Sequence, residues 1–183
     1  MRIGIDIDGV IVDTINYVAS ELSKYLNRKV TPDEVAHKLE RIENIAGIFA
    51  ENGERLLCSL DPLEDAVDSI NKLAEEHDVY IISARFHVHY DITVEWIKKH
   101  GIKAEEVIFT EGKGKLAVCR EKGIDVFIED SVKNALELAD NGIKVILFSA
   151  EYNSSVKRED IIRCDNWKCI LKAIDMIMAD TAE

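Results

Sequence analysis

Five short apolar runs rich in β-branched residues recur along this chain, and they constrain its fold more than any other feature. The runs are RIGIDI (residues 2–7), DVYIISA (78–84), EVIFT (106–110), DVFIED (125–130) and IKVILFS (143–149). Each run is nearly all apolar and does not alternate with polar residues, which is typical of strands covered on both faces in a parallel sheet. The pattern predicts five buried parallel strands.

The segments between the later runs have the length and periodicity of crossover helices. Apolar residues recur at helical spacing in His89–Lys99, Lys115–Glu121 and Val132–Ala139. The alternation predicts an α/β fold with a three-layer αβα, Rossmann-like parallel sheet. After the fifth run, residues 161–162 could add a short edge strand, and a closing helix is expected from Trp167 to about Met178.

One connection is far longer than a crossover needs, because about 70 residues separate the first strand from the second. Its sequence reads as helical throughout, in residues 14–27, 31–40, 42–60 and 62–76. Thr31 and Asp61, each followed by proline, are expected to cap the helices that they precede. We therefore expect one domain, residues 1–183, with a small helical cap at about 14–60 and a core formed by 1–13 and 61–183.

Composition excludes several functional classes. The formal net charge is −12 and the sequence pI is near 4.9, so nonspecific binding to nucleic acid or to an anionic membrane is unfavourable. The apolar runs fall far below the roughly 20 residues of a membrane span, and we expect a cytoplasmic protein. The four cysteines lack zinc-ligand spacing, so we expect them to be reduced and to serve packing.

Polar side chains follow the predicted strands where a ligand site would lie in an open α/β sheet. Asp6 and Asp8 come after the first strand, Ser83 and Arg85 after the second, Lys113 and Lys115 after the third, and Glu129 and Asp130 after the fourth. Four acids gathered in one sheltered volume repel one another strongly. A hard divalent cation relieves that repulsion, and an all-oxygen ligand set suits Mg²⁺.

These elements resemble the four motifs of the haloacid dehalogenase (HAD) superfamily. The matching residues are DIDGV at 6–10, Ser83 within IISAR, a lysine at 113 or 115, and IED at 128–130. Their order matches across nearly the whole chain, and the helical stretch after the first motif is similar to the cap inserted there in that superfamily. The DGV start, the cap size and the short length look most similar to the 5'(3')-deoxyribonucleotidase family and its bacterial relatives.

The resemblance implies a phosphatase reaction at two aspartates. Asp6 would attack phosphorus and form an aspartyl phosphate, which water then hydrolyses. Asp8 would protonate the departing alkoxide and later accept a proton from the water. An aspartate at this second position favours a phosphatase over a dehalogenase, which has no leaving alcohol to protonate.

The resemblance also implies roles for the other polar residues. Ser83 and a lysine would contact the phosphoryl group, and Lys115 is preferred to Lys113 because it directly precedes a helical run. Arg85 would bind the substrate phosphate or pair with an acid.

The metal ligands that the resemblance implies are all oxygen donors. Asp6, the backbone carbonyl of Asp8 and Asp130 would bind Mg²⁺ directly, and Glu129 would act through one of the metal's water ligands.

We therefore expect a Mg²⁺-dependent phosphomonoester hydrolase, with nucleoside monophosphates, including deoxynucleotides, as the leading substrate class. A sugar or glycolate phosphate is the alternative, because Tyr17, Tyr25 and Phe49 form no evident base-stacking pair. A non-enzymatic phosphoacceptor or binding module is the less favoured alternative, since Phe109 and Thr110 stand where a phosphoacceptor domain would have its acceptor aspartate. The partner is expected to be a small phosphorylated molecule, and the chain could form a homodimer.

Overall fold

The computed structural model describes residues 1–181, and its central sheet contains every predicted strand. Within those residues the sheet has six parallel strands in the order β3-β2-β1-β4-β5-β6. They are β1 (Arg2–Ile5), β2 (Asp78–Ser83), β3 (Glu106–Phe109), β4 (Val126–Glu129), β5 (Lys144–Phe148) and β6 (Ile161–Cys164). The predicted α/β class and the short edge strand β6 are confirmed.

Helices cover both faces of the sheet. The helices are α1 (Thr14–Tyr25), α2 (Pro32–Lys38), α3 (Ile45–Cys58), α4 (Ala66–Glu76), α5 (Tyr90–Lys99), α6 (Leu116–Lys122), α7 (Val132–Asp140) and α8 (Trp167–Thr181). Side chains from α4, α5 and α8 pack in one cluster with Ile128, whereas α6 and α7 pack in another with Phe127. Because neighbouring strand residues point to opposite faces, the two clusters lie on opposite sides of the sheet. Among the helices of residues 1–181, none combines the length and apolar character that crossing a membrane requires.

The strand order brings distant parts of the sequence together at one edge of the sheet. Ile5 of β1 lies opposite Ile81 of β2 and Ile128 of β4. The next residue, Asp6, therefore adjoins the carboxyl ends of both neighbouring strands, and its N–H donates to the Ile128 carbonyl at 3.0 Å. The crevice between β1 and β4 is the point at which the strand order reverses, where α/β sheets bind ligands.

The first crossover contains an additional layer of helices, α1 to α3, which we call the helical insertion (residues 14–58). It has its own cluster of buried apolar side chains, which includes Leu22, Val35, Ile48 and Leu56. The predicted start of α2 is confirmed, because the Thr31 hydroxyl accepts from the Glu34 N–H at 3.2 Å and the Glu34 carboxylate accepts from the Thr31 N–H at 3.0 Å.

Helix α4 begins four residues later than predicted. Asp61 does not cap it, since its side chain is 93% exposed, and the helix starts at Ala66 after Asp65 in a left-handed conformation with φ of 61°. The Leu63 N–H donates to the Ile11 carbonyl at 2.7 Å. This long-range hydrogen bond holds the residues after Pro62 outside the helix. The local pattern of proline and apolar residues gives no sign of such a contact.

Two of the four cysteines are bonded to each other. Cys164 ends β6, Cys169 lies in the first turn of α8, and their sulfur atoms form a disulfide across a Cα–Cα distance of 5.4 Å. Cys58 and Cys119 are free. The expectation that all four are reduced is wrong for this pair, because the tight connection from β6 to α8 brings the two Cα atoms within disulfide range.

Candidate active site

Three buried acids form a cluster where β1 and β4 end. Carboxylate oxygens of Asp6, Glu129 and Asp130 all lie within 4.8 Å of one another. Asp6 directly follows β1, and Glu129 ends β4, so the pairing of these two strands brings the acids together. The cluster contains hard oxygen ligands at the spacing that a single divalent cation bridges.

Lys115 lies inside this cluster. Its Nζ atom is 2.7 Å from Asp6 Oδ2 and 2.8 Å from Glu129 Oε2, and its side chain is fully buried. Lys113 is different, because its side chain is 81% exposed and 3.8 Å from Glu111 on the surface. Of the two lysines that the sequence left open, the structure places Lys115 in the site. Glycine in the left-handed conformation at Gly114 separates the two side chains.

Both carboxylate oxygens of Glu129 accept hydrogen bonds from within the protein. Its Oε1 atom accepts from the N–H groups of Asp130 and Ser131 at 3.1 and 2.9 Å, and its Oε2 atom accepts from Lys115. Burial raises the pKa of Glu129, but the adjacent Lys115 outweighs burial and holds it below its usual range. Burial alone would lower the pKa of Lys115, but the carboxylates of Asp6 and Glu129 outweigh burial and raise that pKa above its ordinary value.

If all the acids of the site were ionised, the cations of the protein would not neutralise them. Burial, together with the neighbouring carboxylates of Glu129 and Asp8, raises the pKa of Asp6 to about 8 in spite of Lys115. Burial and the adjacent Glu129 also raise the pKa of Asp130 well above its usual range. Counting Asp8, four carboxylates face the two cations Lys115 and Arg85, which leaves a deficit of two positive charges. A divalent cation supplies that charge, so the residues present fit a metal site.

Asp8 is paired with a buried arginine. Arg85 Nε donates to Asp8 Oδ2 at 2.9 Å and Arg85 Nη2 donates to Asp8 Oδ1 at 2.7 Å. Nη1 donates to the Thr93 hydroxyl at 2.9 Å and faces the Cys58 sulfur at 3.9 Å, and Nη2 also donates to the Leu57 carbonyl at 3.0 Å. All five guanidinium N–H groups thus donate to acceptors within the protein. In this arrangement none is left for a substrate phosphate.

Ser83 ends β2 beside the acidic cluster. It is 1% exposed, and its Oγ atom accepts from the Arg85 N–H at 3.3 Å. Thr110 lies on the adjacent strand end, where its N–H donates to the Ser83 carbonyl at 2.9 Å. The Thr110 hydroxyl is buried and has no hydrogen-bond partner within the described part of the chain. The sequence pattern places Thr110 at the carboxyl end of the third strand, at the edge of the sheet where the site lies, but gives it no role.

A cavity of about 970 Å³ opens beside Asp8, between the helical insertion and the segment after β2. Its apolar wall includes Ile15, Val18, Val35, Leu39, Ile45, Phe49, Phe86 and Val88. Phe86 is 61% exposed and Val88 is 81% exposed, so both side chains of this wall are open to solvent. The sequence pattern indicated Phe49 but not Phe86, because no local feature places residue 86 in a cavity with the helical insertion.

The basic residues of the helical insertion do not line this cavity. Lys38 pairs with Asp33 at 3.1 Å, Arg41 with Glu40 at 3.7 Å, and Arg55 with Glu21. The ionised side chains that do line it are the acids Asp8, Glu40, Glu51 and Glu54 and the committed Arg85. The cavity therefore suits an apolar, uncharged group, and a second phosphate would meet like charges there.

The chain matches known nucleotidases along its whole described length. The family model of the 5' nucleotidase, deoxy (pyrimidine), cytosolic type C proteins matches residues 1–181. The protein named "Putative nucleotidase YqfW" from Bacillus subtilis is 32% identical over 179 residues, which cover 91% of this chain and 90% of that protein.

Solved structures share the fold at low sequence identity. A "predicted phosphoglycolate phosphatase" from Haemophilus somnus has a TM-score of 0.67 at 16% identity and covers 94% of this chain and 97% of its own. The "putative HAD-hydrolase YfnB" from Bacillus subtilis, which was solved bound to magnesium, has a TM-score of 0.65 at 13% identity and covers 95% and 98%. These similarities show that the sheet and its helices form the fold of the HAD hydrolases.

Proposed function

We propose that this chain, which belongs to the family of 5' nucleotidase, deoxy (pyrimidine), cytosolic type C proteins, is a Mg²⁺-dependent phosphatase of (deoxy)nucleoside monophosphates. Membership in that family makes it a phosphomonoester hydrolase of the HAD superfamily. The metal, the covalent intermediate and the substrate are our proposals. One observation carries them: Asp8, two residues after Asp6 of the acidic cluster, lines a large apolar cavity between the helical insertion and the core.

Asp6 is the nucleophile in this proposal. Its Oδ1 atom accepts from the Ile7 N–H at 2.7 Å, and its Oδ2 atom is held by Lys115. A carboxylate oxygen of Asp6 bonds to phosphorus as the bond from phosphorus to the nucleoside oxygen breaks. Asp8 donates a proton to that leaving oxygen. Water then attacks phosphorus, Asp8 accepts the proton of the water, and the bond to Asp6 breaks to release phosphate.

The phosphoryl group is held by groups that converge from three strand ends. Lys115 offsets the charge of both Asp6 and the phosphoryl oxygens, and the buried Ser83 hydroxyl donates to one of those oxygens. Asp6, Asp130 and the backbone carbonyl of Asp8 would hold Mg²⁺, with Glu129 beside them. When bound, Mg²⁺ neutralises the charge that develops on the transferring phosphoryl group.

The cavity supports a nucleoside as the leaving group. Its volume of about 970 Å³ falls in the range of pockets for drug-sized ligands, far larger than a glycolate group requires. Phe49 of the helical insertion and Phe86 of the segment after β2 both line the cavity, and aromatic side chains are surfaces on which a base can stack. We assign the helical insertion as the cap that encloses this part of the substrate. A sugar phosphate would leave most of the apolar wall in contact with water.

The test is hydrolysis of a phosphomonoester panel by the purified chain with Mg²⁺. We expect the largest kcat/KM for deoxynucleoside or ribonucleoside monophosphates, with sugar phosphates and phosphoglycolate well below them. Asp6→Asn, which keeps the shape of the side chain, should abolish turnover of every ester. Faster turnover of phosphoglycolate or a sugar phosphate would overturn the substrate assignment, and phosphate release by the Asp6→Asn variant would overturn the nucleophile.

A further inference from the structure

The loop that follows β5 contacts Asp130 through two adjacent residues. The Tyr152 hydroxyl donates to Asp130 Oδ2 at 2.6 Å. The next residue, Asn153, is fully buried, and its side-chain amide donates to the Asp130 carbonyl at 2.9 Å. Two adjacent residues of one loop thus hold both the side chain and the backbone of the same acid.

The Asn153 side chain is itself fixed from three directions. Its amide nitrogen also donates to the Phe148 carbonyl at 2.8 Å, and its oxygen accepts from the Ala150 N–H at 3.0 Å. Arg163 of β6 donates to the same oxygen at 2.9 Å. Because every polar atom of this amide is engaged, the loop has one well-defined position relative to β4 and β5.

The first loop of the site leaves room for this contact. Gly9 has a φ of 79°, and a Cβ atom at that position would overlap Asp130 Oδ2 and lie 2.8 Å from the Tyr152 hydroxyl. Any side chain at residue 9 would therefore push Tyr152 and Asp130 away from the turn after β1. The glycine that follows Asp8 is required here both by its backbone conformation and by the close approach of this pair.

The helical insertion contacts the same tyrosine. Nε2 of His37, at the end of α2, lies 2.9 Å from the Tyr152 carbonyl oxygen, and the two rings pack edge to face with centroids 6.2 Å apart. Tyr152 is thus contacted by the insertion on one side and by Asp130 on the other. Within residues 1–181, no other residue bridges the helical insertion and Asp130 through hydrogen bonds.

We propose that Tyr152 is a positioning residue for the metal: it orients the Asp130 carboxylate toward Mg²⁺, and His37 ties that orientation to the helical insertion. This inference rests on the proposed function, in which Asp130 binds Mg²⁺. A hydrogen bond to Oδ2 fixes the rotation of the carboxylate and leaves Oδ1 for the metal. Partners that orient metal ligands in this way typically contribute about 10- to 100-fold to metal affinity.

The variant that tests the proposal is Tyr152→Phe, which removes the hydroxyl and keeps the ring. We expect the dissociation constant for MgCl₂, measured by isothermal titration calorimetry without substrate, to rise about 10-fold or more. The matched control is Tyr90→Phe, because Tyr90 is also half-buried and its hydroxyl donates to the Val107 carbonyl at 3.4 Å, away from the acidic cluster. That control should bind Mg²⁺ like the wild type.

His37→Ala tests the link to the helical insertion. We expect the dissociation constant of this variant for Mg²⁺ to rise less than that of Tyr152→Phe. His37 contacts the carbonyl and ring of Tyr152 and does not touch Asp130, whereas the Tyr152 hydroxyl contacts Asp130 directly. Unfolding temperatures of both variants without metal should match that of Tyr90→Phe, which separates a positioning effect from a loss of fold.

The outcomes separate this inference from the proposed function. Wild-type affinity in Tyr152→Phe would overturn the role of Tyr152, and wild-type affinity in His37→Ala would overturn the link to the insertion. If the wild type and Tyr152→Phe both hydrolyse nucleotides and bind Mg²⁺ with equal affinity, this inference fails and the proposed function stands. A wild-type chain that neither binds Mg²⁺ nor hydrolyses any phosphomonoester defeats the proposed function.

Discussion

Arg85 and Asp8 lie 77 residues apart in sequence, yet two parallel hydrogen bonds of 2.9 and 2.7 Å join the guanidinium group to the carboxylate. The Arg85 side chain is 3% exposed, whereas that of Asp8 is 22% exposed and faces the cavity. Burial alone would raise the pKa of Asp8, but Arg85 outweighs it and holds the pKa below its usual range. The pair thus fixes the plane of the Asp8 carboxylate and favours its ionised form, which is the form that accepts the proton of the attacking water in the second step of the proposed reaction.

Substitution of Arg85 should destabilise the fold. Arg85→Gln leaves Asp8 and the Leu57 carbonyl without their charged partner, and breaking a buried ion pair from one side costs about 3–5 kcal/mol of the free energy of unfolding. Urea denaturation measures this loss. The control is Arg158→Gln on the surface, where solvent screens the pairs with Asp140 and Asp160 and their loss should change the free energy of unfolding far less. Equal losses in the two variants would contradict the structural importance of the buried pair.

The choice between the two lysines can be tested by activity. Lys115→Met removes the cation that contacts Asp6 and should lower kcat by about 100-fold or more, as expected for loss of a preorganised charge at the reacting group. Lys113→Met is the control, because Lys113 is exposed and its substitution should leave turnover near the wild-type value. Loss of activity in Lys113→Met, with Lys115→Met still active, would reverse the assignment.

Magnesium should stabilise the folded chain. At a concentration 100 times its dissociation constant, a ligand of the folded state adds about 2.7 kcal/mol, which for a chain of this size corresponds to a rise in Tm of roughly 5–10 °C. Differential scanning calorimetry with and without MgCl₂ measures it. Asp130→Asn should reduce the shift, and Glu159→Gln, an exposed acid outside the cluster, should keep it. An unchanged Tm in the wild type would argue against the metal site.

Phe86 should contribute to binding of the nucleoside. Stacking of a base on an aromatic side chain is worth about 1–3 kcal/mol, so Phe86→Ala should raise KM for a nucleoside monophosphate by about 5- to 150-fold. KM for glycerol phosphate should change little, because that substrate has no base. Met176→Ala is the control for loss of an exposed apolar side chain outside the cavity, since Met176 is 66% exposed on α8. Equal effects on the two substrates would remove Phe86 from the base site.

The strands, most helices and the identity of the acidic residues follow from local sequence patterns. Apolar runs identify β1 to β5, and the capping box at Thr31 identifies the start of α2, because both depend on residues within one element. The predicted start of α4 at Pro62 was wrong. The helix begins at Ala66, because a hydrogen bond from the Leu63 N–H to the distant Ile11 carbonyl holds the preceding residues outside it. The disulfide between Cys164 and Cys169 also depends on the path of a connection and not on spacing alone.

The amino-acid sequence determined which chemistry this chain carries: carboxylates, a serine and lysines at the ends of parallel strands. Tertiary structure decided which of these groups meet. It buried Lys115 and left Lys113 exposed, paired Arg85 with Asp8, brought Tyr152 into contact with Asp130 and formed a cavity that Phe49 and Phe86 line. Periodicity and capping are interactions of near neighbours in the chain, whereas ion pairs and cavities depend on the strand order and on contacts between residues far apart in sequence.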